Sequence, residues 1–301
     1  LFKHINEKMS QRKCSSRKAK ISPLEAKKAK SKPKMYVIRK AFALVIINDK
    51  FDDKKRFEDR EGSQIDKENI EKFCRDNNFD VNDFKALKMG NIELKTDNLT
   101  ADAMKEIFQA ICDLGDFSSF DAFICFISSH GTSEGIVGVD GEATKVKSMT
   151  KFLNECDSLT GKPKLFFIQN CRGGRRDGGV QPKTKKARVT VPDNSREFSV
   201  TIPKEADILT AYSSVDGYES YRNKKEGSWF ITELTKVLTE NVNDMQLTDM
   251  LVIVSENVAN LGYEDEDTVQ EEKPRIWKQM PCYTSTLRSS VVFEIAGEPK
   301  K

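Results

Sequence analysis

Long apolar runs are missing from this 301-residue chain. No stretch approaches the roughly 18 consecutive apolar residues of a membrane helix, and residues 1–20 hold no apolar core of a secretion signal. A soluble, cytoplasmic protein with no membrane partner is the reading that follows. Closely paired cysteines are missing too. Cys14, Cys74, Cys112, Cys125, Cys156, Cys171 and Cys282 include no CxxC pair, which argues against a structural zinc site. An odd number of thiols without a secretion signal fits a reducing compartment. Most of them, such as Cys112 in IFQAICDLG and Cys125 in AFICFI, read as small buried hydrophobes. No metal or organic cofactor is implied, and no internal repeat is visible. Histidine is scarce: His4 and His130 are the only two.

What is present is enough to fold. The chain is 38% hydrophobic and 9% aromatic, mostly Phe, so the 32% of charged residues do not make it a disordered chain. Its length suits one large core or two small domains. The net charge of +3 hides an asymmetry. Residues 1–40 carry 14 Lys/Arg against Glu7 and Glu25, a net of +12, which leaves −9 for the remainder. Little apolar periodicity accompanies those charges, so 1–40 reads as a solvated basic tail. Phosphate attraction would let such a tail touch nucleic acid, but no aromatic residues are interleaved for base stacking, and a nucleic-acid partner is not expected.

Residues 41–48 (AFALVIIN), 120–128 (FDAFICFIS), 164–169 (KLFFIQ), 207–212 (DILTAY) and 290–295 (SVVFEI) read as strands. Helical spacing occupies 64–77 behind Ser63, 101–114 behind Thr100, then 151–157, 228–240 and 246–260. The alternation predicts an α/β fold, a mostly parallel sheet with helices on both faces. Active sites of such sheets gather at the carboxyl ends of the strands. Residues 172–203, rich in Gly, Pro and eight Lys/Arg, fit no buried element and read as a long functional or disordered loop.

His130 directly follows the strand ending FICFISS and precedes Gly131. A histidine there has two readings, a structural residue or a catalytic base. Cys171 ends the next strand, KLFFIQN, and precedes Arg-Gly-Gly. Neighbouring parallel strands bring their ends side by side, so thiol and imidazole can converge. A thiolate is the nucleophile, and an imidazole beside it moves the proton. Glycines at the turns leave backbone amides free to hold an oxyanion. Catalysis and structure both remain open on these residues alone.

SHG at 129–131 and QNCRGG at 169–174, 41 positions from His130 to Cys171, resemble the paired signatures of the caspase family. DREGSQID (59–66), SLTGKPKLFFIQ (158–169), EADILTAYSS (205–214), SYRN (220–223), GSWFI (227–231) and QMPC (279–282) extend the likeness over roughly 40–295. The resemblance implies a six-stranded sheet, continued across a dimer seam. It implies an endopeptidase that cuts proteins after aspartate, with Cys171 as nucleophile, His130 handling the proton, and the amides of Gly131 and Cys171 holding the oxyanion. Arg60, Gln169 and Arg222 match positions lining the aspartate pocket, where two guanidinium groups grip a carboxylate. Ser220 and Arg222 match positions that pair with the substrate backbone. Tyr221 and Trp229 match walls of the second and fourth subsites, and Asn223 a polar contact for the fourth side chain.

The same resemblance implies a zymogen: a tail at 1–40, a large subunit at 41–177, a linker at 178–203 and a small subunit at 204–301. Asp177 and Asp193 are the linker's candidate cleavage sites, with Asp193 better placed. The partners implied are protein substrates and a second copy of the chain, joined along strand 290–295, in apoptosis-type signalling. Three features depart from the pattern. Asn170 stands where the family carries alanine, Glu219 where several relatives carry an aromatic residue, and acidic Tyr263–Lys273 borders the fourth subsite. The competing reading is a weak or inactive relative that acts by binding partners.

Overall fold

The computed structural model describes residues 35–90, 92–179, 203–265 and 275–294. Strands β1 (Met35–Ile38) and β2 (Ala41–Ile47) are followed by helix α1 (Ser63–Asp76), β3 (Asp80–Val81), α2 (Ala101–Leu114) and β4 (Ala122–Ser128). A small antiparallel sheet of β5 (Gly131–Thr132), β6 (Gly135–Val137) and β7 (Ala143–Thr144) leads into α3 (Val146–Glu155) and β8 (Lys164–Gln169). Next come β9 (Ile208–Tyr212), the hairpin of β10 (Arg222–Asn223) and β11 (Gly227–Ser228), α4 (Trp229–Asn241) and α5 (Leu247–Asn260). Strands β12 (Tyr263–Glu264), β13 (Ile276–Trp277), β14 (Cys282–Ser285) and β15 (Ser290–Phe293) complete the order. No described helix is long and apolar enough to cross a membrane.

The main sheet has six strands in the order β14-β9-β8-β4-β2-β3, all parallel except β14. Every residue of β2, β4 and β8 is buried, as a sheet covered on both faces requires. Alternate side chains serve the two faces. Val45, Phe126 and Phe167 join one core with Ile70 and Phe73 of α1, Leu234 of α4 and Val254 of α5. Phe42, Phe123 and Phe166 join the other, with Phe108 of α2 and Met149 of α3. Helices therefore cover both faces, as the alternation implied. Thr100 caps α2 through a hydroxyl that accepts the Ala103 N–H at 3.1 Å.

Three expectations need correction. Residues 290–295 do not border the main sheet: β15 pairs in parallel with β1 in a separate two-stranded sheet. The outer strand is β14, whose Tyr283, Thr284 and Ser285 are exposed, so it lacked the apolar run that made 290–295 conspicuous. The basic tail ends sooner than 40, because Met35–Ile38 is strand and Ile38 is fully buried; the dense charge around this short apolar stretch masked it. Finally, Ser63 does not cap α1. Gly62 takes that place at φ 84°, where a side chain is disfavoured, and the Ser63 hydroxyl turns to Arg60.

β2, β4 and β8 end level, with Ile47 opposite Ser128 and Ser128 opposite Gln169. The residues that follow, Asn48, His130 and Cys171, consequently share one rim.

Candidate active site

The β4–β8 ladder runs one step past the strands, as Ser129 N–H donates to Gln169 O at 3.0 Å. Beyond it the two chains touch. A Cβ on Gly131 would lie 2.1 Å from Cys171 O and 2.2 Å from Asn170 Nδ2, so only glycine fits. Ser213 Oγ donates to Asn170 O at 2.8 Å and accepts its N–H at 3.1 Å, fixing the backbone just before Cys171.

The half-buried His130 ring rests on Phe51 (4.7 Å between centroids) and Phe57 (5.4 Å). Its Nε2 lies 2.8 Å from Glu58 O. A carbonyl only accepts, so Nε2 carries the proton and Nδ1 of the neutral ring keeps its lone pair. Burial holds the His130 pKa below its usual 6.5, with the Glu58 bond opposing and the charges of Arg60 and Arg222 adding to the fall. The ring is therefore mainly neutral at pH 7, able to accept a proton. Cys171 Sγ accepts Ser220 N–H at 3.4 Å and lies 3.7 Å from Ser220 Oγ and 3.8 Å from Ser220 O. Sulfur and ring thus share the rim without bonding each other directly, a common arrangement before substrate tightens a site.

Arg60 is 3% exposed. Its Nη1 donates to Asn48 O, Ser63 Oγ and Ser128 Oγ, each at 3.1 Å. Nε and Nη2 have no protein acceptor among the described residues. Burial lowers the Arg60 pKa to about 9, helped by the neighbouring Arg222 charge, so Arg60 stays cationic at neutral pH. Arg222 donates from Nε to Glu61 O at 2.8 Å, and its terminal nitrogens have no protein acceptor among the described residues. Both guanidinium groups lie within electrostatic range of Cys171. Two cations anchored by one edge and open on the other are arranged to grip an anion.

Gln169 Nε2 donates to Ser220 Oγ at 3.0 Å, and its Oε1 is buried without a partner. Tyr221 N–H donates to Gln279 Oε1 at 2.6 Å. The Tyr221 ring packs against Trp229 at 5.2 Å and stacks on Tyr263 at 5.9 Å. Asn223 stands apart, because its amide serves its own hairpin through Glu226 Oε2 and Lys225 N–H. The rest of the expected set is linked by contacts: Gly131 packs on Cys171, Cys171 and Gln169 both meet Ser220, Tyr221 packs on Trp229, and Arg60 and Arg222 lie within charge range of each other, with His130 next to Gly131. Of the cleavage candidates, Asp177 is ordered beside Lys278 and Asp193 lies outside the described residues.

Several participants escaped the sequence. Glu58 acts through its carbonyl, which leaves no side-chain signal. Asn48, Ser63 and Ser128 are ordinary residues given a role by Arg60. Asp66 was one acid among 47.

A family model for the caspase domain matches residues 40–292. The chain belongs to the caspase family. Caspase-7 of Gallus gallus is 34% identical over 259 residues, 85% of this chain and 78% of its own length. Caspase-3 of Bos taurus is 34% identical over 254 residues, 83% of both chains. The crystal structure of caspase-1 from Spodoptera frugiperda superposes with a TM-score of 0.71 at 26% identity, covering 88% of this chain and 95% of that one. Membership makes this chain a caspase-type cysteine peptidase by descent.

Proposed function

We propose that this caspase cleaves proteins after aspartate. Cys171 attacks the scissile carbonyl, Nδ1 of His130 manages the thiol proton, and the amides of Gly131 and Cys171 receive the developing oxyanion. The observation that carries this reading is the pair of guanidinium groups, Arg60 and Arg222, each with an open edge beside Cys171. A carboxylate between them gains charge-assisted bonds, and a neutral residue leaves both cations unpaired. The test is a set of tetrapeptide reporters that differ only in ending with Asp, Asn or Lys. The Asp reporter should be cut at least about a hundredfold faster than the Asn one. A preference for Lys would replace this reading with a Cys/His protease of another first-site specificity, and no turnover with no labelling of Cys171 by a thiol-directed peptide probe would leave a binding-only relative.

The subunit plan, with a linker at 178–203, belongs to the same proposal, as does action in apoptosis-type signalling in the cytoplasm. The partner copy is assigned to the open edge of β14. Between the two cleavage candidates, Asp177 is disfavoured. Its carbonyl accepts the Lys278 N–H at 2.8 Å, and its carboxylate accepts the Gly179 N–H at 2.9 Å. A protease must free both before Asp177 can enter a groove. Mass measurement of self-processed chains should find a new carboxyl terminus at Asp193, and Asp193→Ala should leave one uncut chain. Cutting chiefly at Asp177 would refute the assignment.

A further inference from the structure

The groove is built on a buried carboxylate that the mechanism above leaves unused. Asp66 of α1 is fully buried. Its Oδ1 accepts the Ser228 N–H at 2.7 Å, and its Oδ2 accepts the hydroxyls of Ser228 and of Ser128, the latter at 3.5 Å. Ser128 Oγ is also an acceptor for Arg60 Nη1. A hydroxyl can do both, since it has one proton and two lone pairs. On the other side Ser228 is paired with Arg222 across the β10–β11 hairpin. Asp66 is therefore one serine away from each arginine. The hairpin can settle on the carboxylate because residue 227 is glycine: a Cβ there would lie 2.7 Å from Asp66 Oδ1.

The charges follow the same pattern. Asp66 is a favourable charge for both Arg60 and Arg222, while the two arginines repel. Burial raises the Asp66 pKa above the usual carboxylate value, and the two Ser228 bonds and the charges of Arg60 and Arg222 oppose that rise. A buried charge of this kind persists only when bonded and paired. When ionised, Asp66 offsets one of the two guanidinium charges, and its three bonds from Ser228 and Ser128 are those a carboxylate would accept.

We infer that Asp66 is the positioning residue of the aspartate pocket, holding Arg60 and the Arg222 hairpin in place and setting the net charge that a substrate carboxylate neutralises. This rests on the aspartate reading proposed above. With Asp66 neutral, the arginines repel without a shared anion, and the more exposed Arg222 is the one that moves.

Asp66→Asn keeps the shape, since an amide can accept the Ser228 N–H and donate to the two hydroxyls. It should raise KM for the Asp reporter about tenfold or more and change kcat little. The Asp-over-Asn preference should fall by a similar factor. Alkylation of Cys171 by iodoacetamide, which needs no pocket, should keep its wild-type rate. Unchanged KM and unchanged preference in this variant overturn the role of Asp66. If the variant fails to fold, Ser228→Ala removes only one bond to Asp66 and should move KM the same way, by about threefold; no movement overturns the inference. A wild-type enzyme without Asp preference overturns both this inference and the proposed function, whereas a preference insensitive to Asp66 overturns this inference alone.

Discussion

Cys171→Ala should abolish turnover of the Asp reporter, with a fall in kcat/KM of roughly 10⁴ to 10⁶. Cys171 is the described cysteine that follows β8 at the shared rim, whereas Cys74 and Cys125 are fully buried with thiol pKa values pushed well up by burial, and burial also raises that of Cys282 on β14. The fold should tolerate the change. Cys171 is half-buried, and its sulfur makes only long contacts of 3.4 to 3.8 Å with Ser220. Unfolding free energy should therefore shift by less than about 1 kcal/mol. Binding should survive as well, because Arg60, Arg222 and Gln169 are anchored without the thiol. An Asp peptide should protect the variant against thermal unfolding as it would the parent. Adding His130→Ala should lower activity no further, since nucleophile and base act as one unit. Turnover that persists in Cys171→Ala would place the nucleophile elsewhere and end the assignment.

What the sequence made legible follows from where the physics is local. β2, β4 and β8 are buried on both faces, so their apolar runs announced them. β14 exposes three of its four side chains, and β3 has two residues; neither carries a pattern to read. Cys171 and His130 could be reasoned toward because each ends a conspicuous strand beside glycine and histidine is rare. Arg60 and Arg222 were two cations among 50, chosen by resemblance alone. Their meaning lies in contacts from Asn48, Ser128 and Glu61, which are distant from them in space or silent as side chains until the chain folds. Asn170 was noticed as a departure. Its amide is buried against Gly131, with Oδ1 lacking a partner; nothing in the structure explains that choice of residue.

Arg60→Lys should separate folding from recognition more sharply than deletion would. The three acceptors on Arg60 Nη1, Asn48 O, Ser63 Oγ and Ser128 Oγ, are three bonds to a single nitrogen. A lysine ammonium has three donors on a chain one bond shorter, so it keeps a positive charge near Asp66 and a donor within a small shift of the same acceptors. What it cannot supply is the second edge of the fork, the Nε and Nη2 that remain open toward the groove. The Lys variant should therefore fold and resist heat much as wild type does, yet lose the bidentate grip on a carboxylate. The expected cost is about 10³-fold in kcat/KM for the Asp reporter, with little change for the Asn reporter, so that discrimination nearly disappears. Arg60→Met differs in kind: it strips three buried acceptors of their donor and leaves Asp66 short of a counter-charge. A loss of about 3 to 5 kcal/mol of stability would accompany the lost activity. If Arg60→Lys kept full Asp selectivity, the open edge of the guanidinium would not be what reads the substrate, and the pocket would have to be sought on Arg222 alone.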